Sequence, residues 1–275
     1  MRGARFIVAG VLAAAVHVVA PLDARAAAPT CAGVDGVDQL LAPGIVVLVG
    51  EVHGTAQSPA FVSALACNAV GAGFPVTVAL EIPVDEAARV DAFLASGGAE
   101  ADRAALIDGP FWAPGVADGR SSVAMVDLLD DVRVARAGGT PIDVTLLDSP
   151  SSDRDAAMAA RVADAAAASP DGIVIALTGN AHTPVQPVPA ADQPVAPMGQ
   201  QVTGLLGADR VVALDVTYSG GTAWVCADAC GETTLQGSGP PDPAFTLSLH
   251  LDDTSSGFHG EYSVGPLTAS PPAAG

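Results

Sequence analysis

Basic side chains are scarce in this sequence. Lys and Arg together number 11 against 30 Asp and Glu, a formal net charge of −19. A chain this acidic repels nucleic-acid backbones and anionic lipid headgroups, which argues against both as partners. Long apolar runs are absent beyond one near the start, Phe6 to Ala20, too short for a transmembrane helix, so no stable membrane insertion is expected. Cysteine is limited to Cys31, Cys67, Cys226 and Cys230. Neither Cys31 nor Cys67 has a C-x-x-C partner, which favours disulfides over a zinc site. Four cysteines allow three pairings; a small loop closed by Cys226 and Cys230, leaving Cys31 with Cys67, is the preferred one. No Gly-x-Ser-x-Gly elbow surrounds Ser121 or Ser122, which argues against a serine nucleophile.

Arg2 and Arg5 precede the apolar run, and Ala24-Arg25-Ala26 follows it as a small-x-small cleavage site. Residues 1–26 therefore read as a secretory signal peptide, and the mature protein as secreted or periplasmic. Cys31 follows Ala-Pro-Thr and not a lipobox, so no lipid anchor is expected. One domain is read over 27–265, with a Pro/Ala/Ser-rich tail over 266–275 expected to be disordered.

Inside the domain, short runs of β-branched and apolar residues alternate with helical segments. Strands are predicted at Ile45–Val49, Val76–Leu80, Ile142–Leu147, Ile173–Leu177 and Val211–Thr217, and helices at about 59–71, 84–94, 123–137 and 153–168. Ser58, Ser122 and Ser152 are read as helix starts, and Ser96 to Arg120 as irregular. Strands apolar on both faces and joined by helices predict an α/β fold, a mainly parallel sheet flanked by helices on both faces. Ala223 to Cys226 is read as a small C-terminal β-hairpin extension pairing with the last strand.

Two of these strands end alike, in Gly50-Glu51-Val52-His53 and Gly179-Asn180-Ala181-His182. A parallel sheet would gather Glu51, His53, Glu81, Asp148 and His182 along its carboxyl edge, where ligands bind in open α/β folds. Two imidazoles with carboxylates suit a first-row divalent metal. They equally suit a metal-free hydrolytic site, with one imidazole as base and a carboxylate orienting it. Arg120 and Arg154 lie within reach of the same edge, where with Asp148 they are expected to bind substrate, a substrate carboxylate or developing negative charge being the partner of the guanidinium groups. His250 and His259 are read as incidental, and Trp112 as a loop anchor.

The ordered set Gly50-Glu51-Val52-His53-Gly54-Thr55, Val78-Ala79-Leu80-Glu81, Arg154-Asp155-Ala156-Ala157-Met158 and Gly179-Asn180-Ala181-His182 resembles the motif series of the erythromycin esterase / ChaN / Tiki superfamily, over roughly residues 45–217. Likeness to erythromycin esterases implies a hydrolase with Glu51, His53 and Glu81 in the active site and His53 as the water-activating base. Likeness to Tiki proteins implies a metal-dependent protease, with His53 and His182 beside Glu51 and Glu81 as ligands or base. Likeness to ChaN implies an exported haem-binding protein of iron uptake; the chain departs from that pattern in lacking a lipobox, and Tyr218 and Tyr262 are its phenolate candidates. The resemblance thus implies a hydrolase of a small-molecule or peptide substrate, metal-assisted or not, with haem binding without catalysis as the alternative.

Overall fold

The computed structural model describes Met1 and residues 31–113, 118–187, 196–226, 229–237, 239–241 and 245–275. The expected signal peptide after Met1 lies outside the described residues, as does the middle of the Pro-rich stretch after Pro184.

An eight-stranded sheet organises the chain. Its strands are β1 (Val34–Asp35), β2 (Val46–Glu51), β3 (Val76–Pro83), β4 (Ile142–Asp148), β5 (Ile173–Gly179), β6 (Val211–Thr217), β9 (Phe245–Leu249) and β10 (Gly260–Ser263). β7 (Gly221–Cys226) and β8 (Cys230–Leu235) form a separate antiparallel hairpin. The sheet runs β1-β9-β10-β6-β2-β5-β3-β4. Every pairing from β10 to β4 is parallel, and only β9 against β10 is antiparallel. The predicted mainly parallel α/β architecture is the one observed. β7 does not pair with β6 as the sequence reading had it, because β2 and β10 already occupy both edges of β6.

The strands alternate between two cores. Val47 and Val49 of β2 and Val78 and Leu80 of β3 face α1 (Gln57–Gly71), α2 (Ala87–Leu94), α3 (Glu100–Ile107) and α4 (Val123–Ala137). Val46, Leu48 and Ala79 face α5 (Arg154–Ala168) and α6 (Met198–Leu206). Burial on both faces is why these strands read as continuous apolar runs. Helix starts differ in detail from the sequence reading. Ser122 caps α4, its Oγ accepting from the Met125 amide at 3.4 Å. α5 is capped by Asp153, not Ser152, its carboxylate accepting from the Ala156 amide at 3.0 Å. Ser58 lies inside α1, buried 2.9 Å from the Tyr262 hydroxyl, which donates to the Gly50 carbonyl at 2.6 Å. Part of the stretch read as irregular forms α3.

The tail is ordered, contrary to the reading of 266–275. Leu267 and Ser270 are buried. The Ala56 amide donates to the Thr268 carbonyl, the Ser270 amide to the Gly54 carbonyl, the Val123 amide to the Pro271 carbonyl and the Thr222 amide to the Leu267 carbonyl, at 2.8–3.1 Å. Small and Pro residues suit such a strap, since they lie flat across neighbouring loops; composition alone cannot tell this from disorder. Both disulfides have the preferred pairing, Cys31–Cys67 and Cys226–Cys230. Among the described residues no helix is long and apolar enough to cross a membrane.

Candidate active site

The strand order brings the chemistry together. β2, β5, β3 and β4 are consecutive neighbours, and their carboxyl ends carry Glu51, Gly179, Glu81 and Asp148. The pleat sends Glu51 to the α1/α4 side and Glu81 to the α5/α6 side. A register shift between Leu80 and Pro83 places one extra residue in β3 against β4, and Glu81 sits in that bulge. Both glutamates are buried, at 4% and 3% exposure, so each requires partners.

His53 spans the edge between them. Its Nδ1 lies 2.9 Å from Glu51 Oε1, and its Nε2 lies 3.6 Å from Glu81 Oε2. The first is a hydrogen bond; the second is too long for one. Burial pushes the imidazole down, but the hydrogen bond and charge of Glu51 and the charge of Glu81 outweigh burial, and Arg120 opposes them less strongly; the net shift is upward. Burial likewise pushes Glu81 up, yet His53 when protonated, the Gly179 amide and the Arg154 guanidinium hold it below its ordinary value, hence ionised. Glycine at 179 leaves room for the imidazole: a Cβ there would stand 2.8 Å from His53 Nε2. Gly54 is fixed by its backbone, with φ at +74° and a hypothetical Cβ that would collide with the Trp224 carbonyl oxygen.

Two guanidinium groups complete the cluster. Arg154 donates from Nε to Asp148 Oδ1 at 2.7 Å and from Nη2 to Glu81 Oε1 at 2.7 Å, and its Nη1 lies 2.8 Å from His182 Nε2. Arg120 donates from Nε to Asp118 Oδ2 at 2.8 Å and from Nη1 to Asp148 Oδ2 at 2.8 Å, with Glu81 Oε1 at 3.4 Å. Burial pushes Asp148 up, but hydrogen bonds from Arg154 and Arg120 hold it below the usual carboxylate range. His182 Nδ1 meets Asp155 Oδ1 at 2.8 Å, and Asp155 also accepts from the Met198 amide at 2.7 Å.

All seven residues expected at the site are therefore present and contiguous. The sequence reading did not assign roles to Asp155, Asp118 or Asn180. Asp155 and Asp118 flank the arginines in sequence, which was the available signal. Asn180 carries its amide across β2 to Asp215 Oδ1 at 2.7 Å, a crossing that a side chain at position 50 would block. His259 is structural, its Nδ1 accepting from the Ala213 amide at 3.0 Å.

Of the four residues expected to hold a divalent metal, Glu81 and His182 are both engaged by Arg154. Among the described residues no group of three or more His, Cys, Asp or Glu is arranged to hold one. Arg154 brings a permanent positive charge against His182 Nε2 and Glu81 Oε1, which disfavours a cation on those two atoms. Haem ligation by Tyr262 fits no better. Its hydroxyl is wholly buried on Gly50, and burial pushes the phenol well above its ordinary pKa.

No family model matches the chain, and no curated protein is similar to it by sequence. Solved structures are similar in fold. A mutant of the erythromycin esterase EreC in its open conformation aligns with TM-score 0.60 over 82% of this chain and 92% of its own, at 13% identity. A Bacillus cereus protein aligns with TM-score 0.61 over 86% of this chain and 92% of its own, at 11% identity. A succinoglycan biosynthesis protein aligns with TM-score 0.53 over 83% and 89%, at 10% identity. The likeness is one of fold, and the erythromycin esterase among these structures belongs to one of the groups that the motifs resemble.

Proposed function

We propose that the protein is an exported, metal-free hydrolase of esters or lactones in which His53 activates water. The observation that carries this reading is the posture of His53. Its Nδ1–H is committed to buried Glu51, while Nε2 has no hydrogen-bond partner among the described residues and faces ionised Glu81 across 3.6 Å. A water donating to both would be oriented and deprotonated at one point. The proton passes from water to Nε2 as the oxygen attacks the acyl carbon. The imidazolium so formed is stabilised by Glu51 and Glu81. The same proton then goes to the departing alkoxide as the acyl C–O bond breaks, leaving acid and alcohol. Likeness in fold to an esterase supports the reaction class, and the two disulfides support an oxidising compartment, as the signal-peptide reading requires.

The charges bear on the substrate. Both arginines, expected to clamp a substrate carboxylate, are already held by internal acceptors. The cluster holds five carboxylates: Glu81, Asp118 and Asp148 on the arginines, and Glu51 and Asp155 on the histidines. We read the site as taking neutral or amine-bearing substrates in preference to acids. The test is a panel of chromogenic esters and lactones, neutral, cationic and anionic, with elemental analysis of the same samples. Turnover lost in His53→Ala and Glu51→Gln, without stoichiometric metal, is the expected result. Turnover that follows metal content, or survives His53→Ala, would overturn the reading.

A further inference from the structure

The two strand-end histidines read alike in sequence, but their surroundings assign them different work. Guanidinium nitrogens carry only donors. The 2.8 Å contact between Arg154 Nη1 and His182 Nε2 therefore requires a lone pair on Nε2. The proton of a neutral imidazole must then sit on Nδ1, where Asp155 Oδ1 accepts it at 2.8 Å. A proton on Nε2 would set donor against donor, and protons on both nitrogens would add cation against cation. Asp155 is itself fixed, accepting the first amide of α6 from Met198 and lying in the first turn of α5, where the helix dipole favours a carboxylate.

We propose that His182 is a positioning residue, held as the neutral Nδ1–H tautomer so that its Nε2 anchors Arg154 against Glu81, and that it neither takes nor gives a proton in turnover. Arg154 has one acceptor on each of its three nitrogens: Asp148, Glu81 and His182. Two of these are carboxylates. The neutral acceptor at the third corner completes the cage without adding negative charge to a cluster already rich in it. The chain Met198 amide, Asp155, His182, Arg154, Glu81 thus links the start of α6 to the carboxylate facing His53. This differs from the even-handed reading of the paired histidines, in which both serve as ligands or bases. His53 keeps a nitrogen facing the cleft, and His182 keeps none.

The role in turnover rests on the hydrolase reading, whereas the tautomer does not, and two measurements separate them. Long-range imidazole proton–nitrogen NMR spectra of the full-length mature protein, with His182 assigned by its loss in His182→Gln, read the tautomer directly. A pyrrole-like Nδ1 with a pyridine-like Nε2 is expected, opposite to the tautomer that the histidine side chain favours in water. A protonated Nε2 would overturn the proposal. The second measurement compares His182→Gln with His182→Leu on an ester that the wild type hydrolyses. A Gln carboxamide oxygen can accept from Arg154 but cannot shuttle protons; Leu can do neither. Gln is expected to keep kcat within about 10-fold and leave the shape of the pH–rate profile unchanged, while Leu loses on the order of 100-fold. Gln as inactive as Leu, in proteins with matched thermal unfolding, would overturn the positioning role. A wild type that hydrolyses no ester fails the hydrolase reading alone, and the NMR result then decides the anchoring of Arg154.

Discussion

Alanine at position 179 would add one methyl group at the point where His53 must react. Its Cβ would lie 2.8 Å from His53 Nε2, 3.3 Å from Cε1 and 3.6 Å from Cδ2. Unstrained heavy-atom contacts begin at roughly 3.5 Å, so the imidazole must retreat by about 0.7 Å. Displacement of a catalytic group by about 1 Å costs on the order of 100-fold, and Gly179→Ala is therefore expected to lower kcat/KM by about 10- to 100-fold. Stability should hardly move. Gly179 is not among the glycines with positive φ. Alanine inside a strand is favoured over glycine by about 0.5–1 kcal/mol, which offsets a similar cost of moving the ring. The assay pairs initial rates on an ester that the wild type hydrolyses with thermal unfolding of both proteins. Activity within threefold of wild type in a folded variant would refute the placement of the reacting nitrogen. A large loss of stability beside lost activity would refute the claim that the clash is local.

Other outcomes follow from the same contacts. Glu51→Gln removes the charge that raises His53, so the ascending limb of the pH–rate profile should move to lower pH while the plateau falls; a limb that stays in place would dissociate His53 from Glu51. His259 is held below its ordinary pKa by burial first and by the charge of His250 second. The unfolded chain then binds the extra proton first, so stability is full above about pH 6.5 and declines as pH falls below it; in His259→Asn that part of the pH dependence in chemical denaturation should vanish. By loop length, replacing both Cys31 and Cys67, 36 residues apart, should cost about 3–4 kcal/mol, and replacing Cys226 and Cys230, 4 apart, about 2 kcal/mol; equal losses in urea unfolding would contradict this. Ser270→Ala should cost about 1 kcal/mol, since Ser270 Oγ accepts from the Ala124 amide in the first turn of α4.

Much of the site was legible because a parallel strand must deliver whatever follows it to the carboxyl edge. Glu51, Glu81, Asp148 and the two Gly-x-x-His ends needed only the direction of their strands to be found. Their division of labour was not legible. The shared Gly-x-x-His frame hid the difference: Glu51 inside the first motif holds His53, whereas His182 is held by Asp155 and Arg154, which arrive from α5. The same limit hid β10, whose place beside β6 depends on Tyr262 packing against Phe61 with ring centroids 4.2 Å apart. It also hid the partner of β7, which depended on both edges of β6 being taken. Local pattern specifies elements; which edge or ring meets which is decided by competition over long distances in sequence.

The strap from Leu267 to Ala273 sets the order in which the site can mature. Gln57, just after the His53 loop, meets Thr268 across 211 residues. The loop that carries the reacting imidazole is therefore secured by a segment made long after it. Closure across so long a span is slow relative to helix formation or the pairing of nearby strands. The strands from β6 to β4 can pair while that loop is still unsecured. The loop would take its final place only once the last residues of the chain had folded onto it.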